Sequence, residues 1–221
     1  MNDQTGLSKN RVETLTDGVF AVAMTLLVLD ISVPQISSNS TVGIVTGTQL
    51  LMRLFDLWPK IFSYGISFVI LAIYWMAHHR QFHYLKHVDR ALIWINIMFL
   101  MTISLIPFST SLLGEYREQQ ISIIVYGGNS IIIASLLYIQ WWYATSHHSR
   151  LVDEDLDPYI KSTSSRRLLF GIIIYLIAIG ISFVYIQLSL FLFAMILIPA
   201  FLPNKLMHKI TFGVSHEKSG R

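Results

Sequence analysis

The sequence predicts an all-α integral membrane protein with six transmembrane helices, and three observations carry that prediction. Of 221 residues, 53% are apolar and only 13% are charged, and the mean hydropathy is +0.56. Uninterrupted apolar stretches occupy 15–33, 61–77, 91–113, 121–144 and 168–202. A bilayer core about 30 Å thick takes about 20 residues per helix, so each of the first four stretches crosses once. The last is too long for one crossing, because about 35 residues rise about 50 Å as a helix. The Leu, Ile, Val and Phe content excludes disorder, and the absence of cysteine excludes a disulfide-stapled secreted fold. Six spans leave only short loops and tails, so 1–221 reads as a single domain.

The first helix is expected over about 12–33, as an uncleaved anchor: its start is charged and no small-residue cleavage pattern follows. The next three are expected over 58–79, 90–113 and 120–145. The long stretch folds back as a hairpin, 166–186 and 188–206, turning near Tyr185 to Ser189, where Gln187 and Ser189 are the most polar positions. Pro199 and Pro203 bend or end the sixth helix. With both termini cytoplasmic, thirteen Lys and Arg lie inside and only Arg53, Lys60 and Arg117 outside. An odd number of spans would put the carboxyl-terminal cluster outside, so charge independently supports an even number. The net charge of +3 and pI near 9.1 therefore belong to inner loops, with no nucleic-acid partner implied. Asp153, Glu154, Asp155 and Asp157, before Pro158, read as a solvated inner loop, a helix cap or a contact with a neighbouring subunit.

The first helix stands apart from the others. It carries Asp17 about a turn inside its cytoplasmic end, where a carboxylate needs a protein partner or water. Arg11 is a poor partner from the same helix, because six residues turn about 600° and leave the two on different faces. His78 and Asn96, at comparable depth on the second and third helices, are candidate donors to Asp17 or Thr16. Solvation by headgroups and water is the alternative. Further out, Val22, Leu26 and Leu29 share one face, with Thr25 beside them and Asp30 at the outer end. Such a stripe suits a pore, ordinary packing or lipid contact. No Thr-Val-Gly-Tyr-Gly sequence is present, so a carbonyl-lined filter of that design is excluded.

The segment Arg11-Val-Glu-Thr-Leu-Thr-Asp17-Gly-Val-Phe-Ala-Val-Ala-Met-Thr-Leu-Leu-Val-Leu-Asp30 resembles the first-helix signature of the transmembrane protein 175 family, the endosomal and lysosomal potassium channels and their prokaryotic relatives. That signature reads Arg-x-x-x-Phe-Ser-Asp-Gly-Val-Phe-Ala-Ile-Ala, then Thr-Leu-Leu-Val-Leu. The likeness extends to Trp58-Pro59, Tyr64, Ser67-Phe68, Trp75 and His78-His79, and to Asn96 and Pro107-Phe108-Ser-Thr110. Leu15 and Thr16 replace the signature's Phe and Ser, the second keeping its hydroxyl.

The resemblance implies a single-repeat member of a prokaryotic cell membrane, four copies of which surround a pore lined by the first helix. It implies passage of K+ and other monovalent cations, lipid as surroundings, and no cofactor. Val22, Leu26 and Leu29 match the apolar constriction, and Thr25 the threonine linked to selectivity. Four leucines in a ring close a pore by dewetting, and a neck that demands partial dehydration favours potassium over the more tightly hydrated sodium. Arg11, Thr16, Asp17 and His78, with Asn96 and Trp75, are implied to form a polar network that fixes the first helix on its neighbours. The Trp75 indole N–H needs a partner there, and Asp30 would tune cation concentration at the outer mouth.

His78, His79, His83, His87, His147 and His148 all fall on the inner side. His79, His83 and His87 recur every four residues, yet no Asp or Glu is interleaved, so ordinary interfacial histidines are expected and no metal. No phosphate-binding loop, nucleophile elbow or paired intramembrane carboxylates appear, which leaves an enzyme without residues. A secondary transporter and a non-conducting membrane scaffold are the remaining rivals of a channel.

Overall fold

The computed structural model describes residues 8–34, 47–146, 151–153 and 156–195. Among them the chain is helical: α1 Lys9–Leu26, continued by a 3-10 turn Leu27–Asp30, then α2 Gly47–Asp56, α3 Trp58–His83, α4 Arg90–Ser104, α5 Ile106–Glu115, α6 Gln120–Ala144, α7 Pro158–Ser182 and α8 Ile186–Met195. By length and composition five spans can cross a membrane: Lys9–Asp30, α3, Arg90–Glu115, α6 and α7. The described part of α8 is a shorter apolar helix. Residues 196–206 of the expected sixth helix, with Pro199 and Pro203, lie outside the described residues.

Several bounds differ from those that hydropathy suggests, each for a local reason. The third span is divided at Leu105, because Pro107 has no N–H to return to the carbonyl four residues back; the backbone turns there without unwinding. α7 starts at Pro158 rather than at 166, since Asp157 caps it, accepting from Tyr159 N at 2.8 Å, and proline suits a first turn. Its first turns are polar and invisible to an apolar scan. The hairpin turn is 183–185, ahead of Gln187 and Ser189, which belong to α8. Ser189 misleads because it is buried in the bundle and not placed at its rim. α2 is an additional helix, amphipathic and too short to cross: Leu50, Leu51, Leu54 and Phe55 lie on one side and Gln49, Arg53 and Asp56 on the other.

α6 packs on α4, α5 and α7, and α7 on α8, while α1 rests on α3 and α4. The shared core includes Phe20, Leu71, Phe99, Ile103, Ile133 and Leu137, all buried. A smaller cluster, Leu85, Leu92, Ala144 and Leu151, closes the end of the bundle near the α1 amino terminus. Polar contacts lock this end. Asp89 caps α4, accepting from Leu92 N at 2.8 Å, and takes the Tyr143 hydroxyl at 2.6 Å. Lys161 donates to the Thr145 carbonyl at 2.7 Å, Lys9 to the Leu85 carbonyl at 2.9 Å, and Lys86 pairs with Asp153.

α6 meets α7 and α8 tightly at Gly127, where a Cβ would meet Ile179 at 2.9 Å and the Phe193 ring at 3.3 Å, whereas Gly128 has nothing within 4 Å. Gly127→Val is expected to cost about 1–3 kcal/mol through overpacking, and Gly128→Val no more than about 0.5 kcal/mol. Thermal unfolding of the two variants in detergent checks the difference.

Candidate pore helix and its polar anchor

α1 buries Val12, Thr16, Phe20 and Ala23, and Leu27 follows in the 3-10 turn, a stripe at helical spacing that faces α3, α4 and α5. Phe20 stands against Phe99, ring centroids 5.9 Å apart. Within this stripe Thr16 is the polar member, and its hydroxyl oxygen has a buried partner. Asn96 Nδ2 donates to Thr16 Oγ1 at 3.2 Å, while Asn96 Oδ1 accepts from Gln140 Nε2 at 3.2 Å and from His78 Nε2 at 2.9 Å. An amide oxygen only accepts, so His78 carries its proton on Nε2. The His78 ring is sandwiched by Phe99 and Phe82, at 5.4 and 4.2 Å between centroids. One buried amide thus joins α1 to α3, α4 and α6.

Asp17 lies one residue round the helix and has a different environment. It is exposed in the single chain, and Trp75 Nε1 donates to its Oδ1 at 2.8 Å, with the Trp75 ring stacked on His79 at 5.6 Å. Asp17 therefore has both a protein donor and access to the surroundings, and the donor is the indole rather than His78 or Asn96. Arg11 is not brought into the network. It is exposed and forms no hydrogen bond or ion pair with the described residues, because it points away from the face that carries Thr16.

The opposite face of α1 is open. Val22, Leu26 and Leu29 are 56%, 44% and 72% exposed, and Thr25 is exposed beside them. Thr25 Oγ1 donates back to the carbonyls of Ala21 and Val22, at 3.0 and 2.9 Å. Its proton is thereby committed to its own helix, and its lone pairs are left facing outward. At the far end, Asp30 accepts from Ser111 Oγ at 2.5 Å, which ties the 3-10 turn to α5, and Lys60 of α3 pairs with Glu115 of α5.

Sequence reasoning missed Gln140, Gln81 and Ser111. Gln140 and Gln81 were open to detection, since each is an amide inside an otherwise apolar span; Gln81 Nε2 donates to the Leu137 carbonyl at 3.3 Å. Ser111 gave no signal apart from its partner. A second polar layer, Thr110 to Ser67 at 2.9 Å and Ser67 to Tyr126 at 3.0 Å, joins α5, α3 and α6. No three or more His, Cys, Asp or Glu converge as a metal site among the described residues, and His147 and His148 lie outside them.

These features define a polytopic α-helical membrane protein whose first helix is fastened by buried hydrogen bonds on one face and left open on the other. The sequence profile of the family described as the endosomal/lysosomal potassium channel TMEM175 matches residues 11–107. A potassium channel of Streptomyces collinus is 33% identical over 184 residues, covering 81% of this chain and 85% of that one. One of Chamaesiphon minutus is 34% identical over 182 residues, 81% and 86% of the two chains. The crystal structure of a lysosomal potassium-selective channel TMEM175 homolog from Chamaesiphon minutus superposes with TM-score 0.74 at 31% identity, over 86% of this chain and 95% of that chain. The fold is also that of a variant of the potassium channel MtTMEM175, TM-score 0.62 at 19% identity, over 96% and 98%. The chain belongs to the TMEM175 family, as a member of its prokaryotic type. The family is one of ion channels and not of enzymes.

Asn96→Leu would strand Thr16, His78 and Gln140 together, and each buried polar group left unpaired costs about 1–3 kcal/mol. We expect a large fall in thermal stability for Asn96→Leu and a change within about 0.5 kcal/mol for Arg11→Ala, read as unfolding midpoints in detergent.

Proposed function

We propose that this protein is a passive potassium-permeable cation channel, formed by four copies whose α1 helices surround a central pore. The observation that carries the reading is the division of α1: Thr16 and its neighbours are hydrogen-bonded into the protomer, while Val22, Thr25, Leu26 and Leu29 are left uncovered. Lipid contact alone would account for the leucines. Asp17, about 140° round the helix from Val22, is a separate exposed site held by Trp75. Relatives at 33% and 34% identity that bear the name potassium channel support the permeant ion.

In this arrangement the apolar side chains of Val22, Leu26 and Leu29 form the constriction. A narrow apolar neck excludes water and ions, and opening widens it. Potassium, more weakly hydrated than sodium, loses its shell there at lower cost. The Thr25 lone pairs replace part of that shell, because the hydroxyl proton is already spent on the helix backbone. Asp30 at the other end attracts cations over a short range limited by salt screening. Six spans, cytoplasmic termini and a prokaryotic cell membrane complete the proposal, and conduction requires no cofactor. Related vertebrate proteins, among them that of Gallus gallus at 32% identity over 70% of this chain and 31% of its own length, are named proton channels. The liposome test therefore reads internal pH beside potassium flux.

Liposomes loaded with potassium and carrying the protein should show potassium flux that does not saturate as a transporter's would. Leu26→Ala and Leu29→Ala should raise it and relax selectivity. Unchanged current ratios for both variants remove them from the neck, and an absence of flux in the wild type leaves only a scaffold. Thr25→Val should shift the reversal potential in mixed potassium and sodium toward that of an unselective pore; an unaltered value rejects the ligand role.

A further inference from the structure

A cavity of about 160 Å³ opens where α3, α5, α6 and α8 meet, at the end of the bundle away from the α1 amino terminus. Its walls are Phe62, Ile66, Leu113, Leu190 and Phe193, with Trp58 beside them, 64% exposed. Of the three hydroxyl groups on its lining, those of Ser67 and Tyr126 are hydrogen-bonded to each other, and Ser63 is the third. The lining is mostly apolar, and apolar voids of about 150 Å³ accept hydrocarbon. Arg117 also lines it. At this end Arg53 has Asp56 at 3.8 Å and Lys60 has Glu115, but Arg117 pairs with no carboxylate among the described residues. α3 and α6 begin at this end while α5 and α7 finish there, and Asp30, Asp56, Glu115 and Glu118 lie at the same level, so the anchoring charge is that of Arg117 itself. A mostly apolar slot beside a guanidinium that forms no ion pair among the described residues, at the end of a membrane-type helix bundle, has the polarity of one amphiphile.

We infer that this groove holds an anionic phospholipid of the adjoining leaflet, one acyl chain lying in the cavity against Phe62 and Phe193 and the phosphate on Arg117. The guanidinium fork matches phosphate oxygens in pairs. The interaction is independent of where the pore lies.

The test is thermal unfolding of the full chain in dodecyl maltoside, titrated with phosphatidylglycerol, phosphatidylcholine or inorganic phosphate. Phosphatidylglycerol should raise the unfolding temperature saturably, and the other two should not match it. Arg117→Gln should raise the half-saturating concentration about tenfold, the scale of one charge-assisted contact. Ser63→Phe, which fills the cavity, should abolish the response, and Arg53→Gln should leave it intact. Because Arg117 is exposed, its variant keeps the fold and decides the matter even if Ser63→Phe does not fold. The inference is overturned if the wild type shows no saturable rise, if phosphatidylcholine or phosphate alone reproduces it, or if Arg117→Gln titrates like the wild type.

Discussion

The carboxamide of Asn96 is the interaction on which the arrangement of the bundle depends. Between helices in a bilayer, lipid tails are as apolar as leucine, so no hydrophobic force selects one neighbour over another. Asn96 supplies that selection by donating to Thr16 of α1 while accepting from His78 of α3 and Gln140 of α6. An α1 rotated by a third of a turn would leave these groups unpaired in hydrocarbon. The rotation of the helix about its own axis is thus set by hydrogen bonding, and the orientation of its free face follows. Phe20 against Phe99 adds packing one turn further on, without which the polar contact would be a pivot and not a clamp.

The other buried polar groups are distributed by depth. The Thr110, Ser67 and Tyr126 layer repeats, nearer the opposite end, the device seen around Asn96: short side chains from three different helices satisfying one another where no water reaches. Between the layers Tyr74 donates to the Ser130 carbonyl at 3.1 Å. A bundle built this way ties each of these helices to specified neighbours.

The membrane class, four of the spans and the special status of the first helix were legible because they rest on hydropathy, charge and one long signature. Thr16, His78 and Asn96 were legible as polar residues at matching depth, and Trp75 as an indole in need of an acceptor. The pairings themselves were not, because four polar groups can be joined in several ways and only the packing of Phe20, Phe82 and Phe99 decides among them. Asp17 took the indole since it lies one residue, about 100°, away from Thr16. The true start of α7 at Pro158 and the helix at Gly47–Asp56 escaped because both are amphipathic or polar, and a scan for apolar runs does not register them. Arg11 was drawn into the network by likeness to a signature, although its angle on the helix already placed it elsewhere.

The proline break between α4 and α5 has a mechanical consequence. One end of α1 is fixed to α4 through Thr16 and Asn96, and the other to α5 through Asp30 and Ser111. The two fastenings lie on opposite sides of Pro107, where the hydrogen-bond ladder of the third span is interrupted. The base and the tip of the first span are thus held by the two halves of a single neighbour, and a missing backbone hydrogen bond separates the halves.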